Sequence, residues 1–414
     1  MAAEKRGVTH WQNWAGNQSC TAQEFATPAS EDEVSELVRS AADRQLSVRV
    51  AAGGHSFTPV CLSDGLLLSL ERMHGITEID RQNRRATVLA GTKISEIGPP
   101  LWEQGLSLRN QGDIEAQYIA GAVSTATHGS GNRLKSMSAA ARRIRAVLPS
   151  GEAYEAAEDN PDLLAAAQVA VGMLGVITSV ELDVTDAFLL RKRVEFWPFE
   201  EIYERWEHEF EKWHHFSFFW MPSAKSAPEV FLECPGDVDM ADRGYVKMFE
   251  ALPPGDLERD GFTDESSVIG RPYQLYPQYC GPNFYEMEYM VPYETGKDAF
   301  SQVRRLMLDS YPDRIFPVEV RSTAKDSAYL SPNFERDSIV ISVCGQGTDY
   351  LPFLADVAST LNEFDARPHW GKIHFMDAAR LGRVLPRYGR FREIRSSIDP
   401  GSVFLNASLR DLFG

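Results

Sequence analysis

The sequence predicts a two-domain α+β protein, and three observations carry that reading. The chain has 414 residues, more than one ordinary hydrophobic core organises, so two domains are the default. Its first part alternates helical and strand periodicities. Near residue 185 the character changes, and the chain becomes rich in Trp, Phe, Tyr and Pro. These shifts divide it into a first domain over residues 1–185, a second over 186–370, and a closing segment, 371–414, that returns to the first.

Each element has its own signal. EDEVSELVRSAADRQ places Val34, Leu37, Val38 and Ala41 at helical spacing behind Ser30 as a cap, and the β-like SVRVA follows. GLLLSLERM, GITEID, RRATVLAGT and a helical ISEIGPPLWEQG continue the alternation to about residue 105. A glycine-rich stretch of small residues then runs to Gly131. ARRIRAVLPSGEAYEA reads as a hairpin, NPDLLAAAQVAVGML as a helix, and GVITSVELDV as a strand in which Val176, Thr178, Val180 and Leu182 alternate with their neighbours. Beyond residue 185, FEEIYERWEHEFEKW has the pattern of an amphipathic helix, while HFSFFWM, FYEMEYMV and DSIVISVC read as strands. No internal repeat interrupts the sequence.

Composition excludes several partners. The net charge of −17 lacks the basic footprint that a nucleic-acid binder needs to release counterions. The amino terminus, MAAEKRGVTHWQNWAGNQ, has no apolar run of a secretory signal, and no stretch of about 20 apolar residues appears later. The expectation is an acidic, cytoplasmic, monomeric enzyme with a small-molecule substrate and neither a nucleic-acid nor a membrane partner. Cys20, Cys61, Cys234, Cys280 and Cys344 are odd in number, scattered and without C-x-x-C spacing. Reduced thiols are therefore expected, with neither a disulfide framework nor a metal site.

Four segments carry chemistry. Ala52-Gly53-Gly54-His55-Ser56-Phe57 follows the strand SVRVA, and its paired glycines let the backbone turn sharply and offer N–H groups to a bulky anion. On these residues alone, a plain glycine turn with a solvent histidine is an equal reading. Between Asn110 and Gly131, the glycines 112, 121, 129 and 131 with Ala120, Ala122, Ser124 and Ala126 leave a backbone that can lie against a flat ring, or one packed tightly in a core. Glu319 and Arg321 in Pro317-Val318-Glu319-Val320-Arg321 share one face of a strand, as a solvated ion pair would too. Lys372 closes His369-Trp370-Gly371-Lys372, where a surface lysine is the plain alternative.

Together and in this order, the segments resemble the vanillyl-alcohol oxidase superfamily, in its aldonolactone and alditol oxidase branch. The resemblance spans nearly the whole chain and is weakest in the aromatic middle. It implies the two-domain FAD-binding fold of that type, with a mixed-sheet substrate (cap) domain. It implies FAD bonded covalently to His55, with Ala52, Gly53, Gly54, Ser56 and Phe57 around it. Further FAD contacts are implied for Gly112, Asp113 and Gly121, and for Ser124, Thr125, Thr127, His128 and Gly129. Gly172, Gly175 and Val176 in VGMLGVITSVELDV fall near the adenosine half, and Asn406 in DPGSVFLN helps to hold the flavin end. Glu319, Arg321 and Lys372 become the catalytic set for oxidising a CH–OH group of a sugar-like substrate by hydride transfer to flavin N5. Arg321 and Lys372 supply positive charge to an alkoxide-like oxygen, while Glu319 orients Arg321. Oxygen as acceptor would give hydrogen peroxide, and Gly112 falls where the branch keeps a small residue beside the reactive edge of the ring. A dehydrogenase using another acceptor, or a binding module without turnover, are the alternatives.

Two departures from the branch bear on substrate. Asp113 stands where alditol oxidases have a serine, in a Gly-Asp-Ile form closer to the sugar-lactone oxidases. Ser342 and Cys344 replace a histidine and a second polar group, leaving a less polar wall with room for a sugar conjugate as bulky as a nucleoside. Trp220, with Phe216, Phe218, Phe219, Tyr285 and Tyr289, is the aromatic candidate for lining that room, against the alternative that all six are ordinary sheet core.

Overall fold

The computed structural model describes residues 4–226, 238–264, 266–278 and 284–414. Ser30 accepts a hydrogen bond from Glu33 N and starts the helix Glu31–Asp43, with three acidic residues in its first turn, where the helix dipole favours them. The helix buries Val34, Leu37, Val38 and Ala41, as its spacing predicts. It packs between two sheets. One has the order Glu4–Arg6, Glu24–Thr27, Leu66–Leu68, Val48–Val50, and its last three strands are parallel. The other is antiparallel and runs Ala153–Ala157, Ala141–Val147, Val176–Asp183, Arg85–Leu89, Ile76–Asp80. It contains the predicted hairpin and the predicted strand over residues 176–183.

Two helices are shorter than their periodicity suggests. ISEIGPPLWEQG forms a 3-10 turn, Ile94–Glu96, and then a separate helix, Gly98–Glu103, because Pro99 and Pro100 fit only a first turn. NPDLLAAAQVAVGML is helical only over Pro161–Ala167. Beyond it Val171, Gly172 and Gly175 take positive φ, which ends the helix and turns backbone carbonyls inward.

The second sheet system has eight described antiparallel strands. Their order is Val268–Gly270, Leu189–Pro198, Arg243–Leu252, His215–Met221, Val318–Thr323, Ser338–Gly345, Tyr285–Pro292, Arg367–Pro368. Three helices, Phe199–Lys212, Gly296–Ser310 and Tyr350–Asn362, cover one of its faces. That interface is aromatic: the Phe300 ring lies 5.4 Å from Phe218 and 6.0 Å from Trp220. The opposite face shares a cavity with the turn at His55 and the segment from Gly112 to His128. The last helices, Ala378–Val384, Tyr388–Ile398 and Ala407–Phe413, end against the first part of the chain. There Val48 N donates to Val403 O at 2.9 Å.

Candidate active site

The glycine pair performs two different tasks. A Cβ on Gly53 would lie 2.9 Å from Ala116 O, and Gly54 takes φ +67° against Trp11 and Trp14, so neither position suits a side chain. The resulting turn sets the His55 ring 5.1 Å from Trp14, which an N-terminal hairpin, Thr9–Gln12 with Ser19–Ala22, delivers. Burial first, then the Lys372 ammonium, pushes His55 down to about 4. Its imidazole is therefore neutral at ordinary pH, with a nitrogen lone pair free to form a bond.

Two cavities meet at this histidine. His55, Gln117, His369 and Lys372 line both and form the waist between them. The first is walled by Ala52, Gly53, Gly54 and Ser56, then by Gly121, Ser124 and Thr125, and finally by Gly172, Gly175 and Val176. These are small residues and bare backbone. At its edge lies Arg49, a buried guanidinium whose partners are all carbonyls: Val60 O at 2.8 Å, Val171 O at 2.7 Å, Gly172 O at 3.0 Å and Phe404 O at 2.6 Å. A buried cation among carbonyls, with no carboxylate bonded to it among the described residues, suits an anionic ligand. A glycine-lined cradle and this charge fit a dinucleotide such as FAD.

The second cavity is walled by Phe57, Gly112, Asp113, Thr127 and His128 on one side and by Glu319, Arg321, Ser342 and Cys344 on the other. Register explains the latter wall. Phe219 pairs with Glu319, Glu319 with Ser342, and Ser342 with Glu288, so these four project from one face, as do Lys247, Ser217 and Arg321 in the neighbouring row. Trp220 has the other parity. It is fully buried on the helix-covered face, 6.0 Å from Phe300, with Nε1 donating to Asp242 at 2.8 Å. The expectation that Trp220 meets substrate is thus corrected by strand alternation, and it is Phe219 that lines the cavity. Phe216, Phe218 and Tyr289 are likewise buried away from the cavity, and Tyr285 stacks on Tyr350 at 4.2 Å. Two assigned cofactor contacts also lie outside both cavities. Gly129 is held against Asn110 and Gln111, where a side chain has no room. Asn406 caps the last helix and donates to Pro59 O at 2.7 Å and Leu62 O at 2.9 Å, bracing the turn that follows His55.

Charge in the second cavity is tightly paired. Arg321 donates to Asp113 at 2.7 Å and to Glu288 and Ser342, while Ser342 donates to Glu288 at 2.5 Å. His128 Nε2 lies 3.0 Å from Glu288 Oε1. Lys372 pairs with Glu286. Burial alone would raise the Glu288 carboxyl, but Arg321 and His128 outweigh it and hold it well below the usual range. Burial would likewise lower Arg321 and Lys372, yet Glu319 with Glu288, and Glu286 with Glu288, keep the two cations charged. Glu319 differs, because burial, reinforced by Asp113, raises it despite Arg321 and Lys247. His128, Glu288 and His369 offer ligating atoms within 4.8 Å of one another. Both Glu288 oxygens are already bonded, however, and the Arg321 guanidinium is beside them, so this is a hydrogen-bonded cluster. Sequence reading missed Trp14, Lys247, Glu286 and Glu288. The two glutamates did leave a signal: acids at period two inside the apolar strand YEMEYMV.

The chain is similar to known proteins along nearly its whole length. The FAD binding domain family matches residues 22–157, and the D-arabinono-1,4-lactone oxidase family matches residues 234–412. The L-gulono-1,4-lactone dehydrogenase of Mycobacterium tuberculosis is 32% identical over 98% of this chain and 99% of its own length. The alditol oxidase of a Streptomyces species is 28% identical over 97% of this chain and 98% of its own. The L-gulonolactone oxidase of Mus musculus is 26% identical over 99% of both. Among solved structures, cholesterol oxidase from B. sterolicum superposes with a TM-score of 0.82 at 13% identity, covering 100% of this chain and 98% of that one. That likeness shows the shared fold.

Proposed function

This chain belongs to the aldonolactone and alditol oxidase branch of the vanillyl-alcohol oxidase superfamily, and from that premise we infer an FAD-dependent oxidase acting on a CH–OH group of a sugar-like substrate. Oxygen is the acceptor in this reading, and hydrogen peroxide the product. The observation that carries it is that His55 and Lys372 stand at the waist between two cavities, with the Lys372–Glu286 and Glu319–Arg321 pairs walling the second of them.

Residues 52–56, 121–125 and 172–176 would hold the nucleotide and pyrophosphate, with Arg49 as counter-charge and His55 as the point of covalent attachment. Residues 1–185 and the closing segment then form the cofactor half, and residues 186–370 the substrate half. Bound FAD supplies the hydride acceptor. The chain's own residues prepare the alcohol. Arg321, fixed by Asp113 and Glu288, and Lys372, fixed by Glu286, place positive charge where the substrate oxygen becomes alkoxide-like. Glu319, its carboxyl raised by burial, is placed beside Arg321 to accept a hydroxyl proton. The apolar rings of Phe219, Phe284 and Phe316 shield that end from water.

A peroxide-release screen of the purified protein against alditols, sugar lactones, free sugars and nucleosides tests the reading. Peroxide with one of these classes supports it, and flavin that stays oxidised with all of them refutes it. A dehydrogenase is the second reading, favoured by one observation. A Cβ on Gly112 would sit 2.7 Å from Thr127 Cγ2, so the threonine methyl already fills part of the space that glycine leaves for oxygen. Reduced enzyme that reoxidises in air far more slowly than it turns over with an artificial dye selects this second reading.

A further inference from the structure

We propose that Lys247 is a positioning residue of the substrate end, its buried ammonium holding Asp113 and Glu319 together as charged acceptors for substrate hydroxyls. This rests on the functional reading above and extends it to the class of group that is recognised. Lys247 lies on the strand Arg243–Leu252, facing the same way as Ser217 and Arg321, with its side chain 5% exposed. Its Nζ is 3.7 Å from Asp113 Oδ1 and 3.6 Å from Glu319 Oε1. It also lies 4.8 Å from the centre of the Phe219 ring. Among the described residues its hydrogen bond goes to Gln278 Oε1, at 3.1 Å.

The two carboxylate oxygens nearest Lys247 have no hydrogen-bond donor among the described residues. Buried in that state they are unfavourable unless a cation is close. The other two oxygens turn to Arg321, whose Nη1 donates to Asp113 Oδ2 at 2.7 Å and whose Nε is 3.5 Å from Glu319 Oε2. Two cations therefore bracket two carboxylates from opposite sides. Asp113 belongs to the loop beside the cofactor cavity and Glu319 to the eight-stranded sheet, so the bracket also sets the spacing between the cavity's two walls. Lys247 does not line the cavity, whereas Asp113, Glu319, Phe219 and Gln278 do, so it acts through them. Ionised carboxylates only accept hydrogen bonds, and the matching ligand groups are hydroxyls that donate.

The charged groups facing Glu319 are Arg321 on its own strand, Lys247, Glu286 from Tyr285–Pro292, and Asp113. Ser342 from Ser338–Gly345 and Phe219 from His215–Met221 face it without charge. Removing Lys247 leaves Glu319 with fewer cations and makes it harder to ionise inside the protein. A group raised in the folded state loses stability as pH increases through its titration, so the variant should fall behind the wild type progressively with pH.

The test uses flavin-loaded Lys247→Met, Lys247→Arg, Asp113→Asn and the Lys247→Met/Asp113→Asn pair. In melting curves from about pH 5.5 to about pH 8.5, the Tm gap between wild type and Lys247→Met should widen, while Lys247→Arg tracks the wild type. Asp113→Asn should recover part of the Lys247→Met loss. With whichever alcohol the peroxide screen selects, Lys247→Met should raise KM about tenfold and Lys247→Arg should not. A pH-independent gap with additive losses would overturn the proposal, as would an unchanged KM. A wild type that oxidises no alcohol refutes the functional reading instead, and the melting series then decides the bracket by itself.

Discussion

Arg321 shows how a single side chain acquires a role here. Its guanidinium is committed at once to Asp113, Glu288 and Ser342, so in the proposed reaction it would meet the reacting oxygen already oriented, with no reorganisation left to perform. Truncating Arg321 or Lys372 to alanine should slow anaerobic flavin bleaching by substrate by about 2.7–4 kcal/mol, the range for a lost electrostatic stabiliser. Arg321→Lys should stay slow, because a point charge cannot bond two carboxylates through a planar fork. Stopped-flow absorbance measures both, and near-normal bleaching in the alanine variants would remove these residues from the chemistry. Glu319 gives a pH prediction. Burial raises its carboxyl, and a proton acceptor fails once protonated. The acid limb of kcat/KM should therefore lie above the ordinary glutamate value of about 4.3. Glu319→Gln should flatten that limb, and a limb that persists unchanged in the variant would assign it to another group.

At the scale of the element, strand alternation separates function from packing within two consecutive residues. Phe219 faces the cavity and Lys247, while Trp220 faces Phe300 and the covering helices. Phe219→Ala should change KM and leave Tm nearly as it was. Trp220→Ala should lose about 3–5 kcal/mol of stability, as for a large aromatic removed from a packed core, with KM little altered in whatever protein remains folded. Paired melting and steady-state measurements check this, and reversed effects would mean that the strand presents its other face. The run FSFFW is apolar at almost every position, so periodicity could not reveal which parity looks inward. Lys247 was hidden for a related reason, since nothing in RGYVKMFEAL says that it faces Asp113 and Glu319, which come from distant segments. The helix break after Ala167 was equally invisible, because AAAQVAVGML satisfies helical periodicity until positive φ at Val171 and Gly172 stops it.

At the scale of the molecule, the legible part was whatever chemistry writes into contiguous residues. The glycine pair with His55, the small-residue run to Gly131, the Glu319–Arg321 spacing and the lysine of HWGK each marked a position, and the structure brings His55, Glu319, Arg321 and Lys372 around joined cavities. The illegible part was made by assembly. Trp14 comes from a hairpin with no motif, and Glu288 matters only because His128, Arg321 and Ser342 arrive from three other segments. Asn406 was read as a cofactor residue and instead fastens the chain's end to the turn after His55. His55 and Lys372 stand at the waist, where one cofactor would join the two halves. The direct measurement is intact mass under denaturing conditions, followed by peptide mapping of the flavin. The account predicts a protein heavier by one FAD, with the flavin on the peptide containing His55 and none on a His55→Ala variant that still folds. An unmodified mass with free FAD in the supernatant, or flavin on another residue, would contradict it.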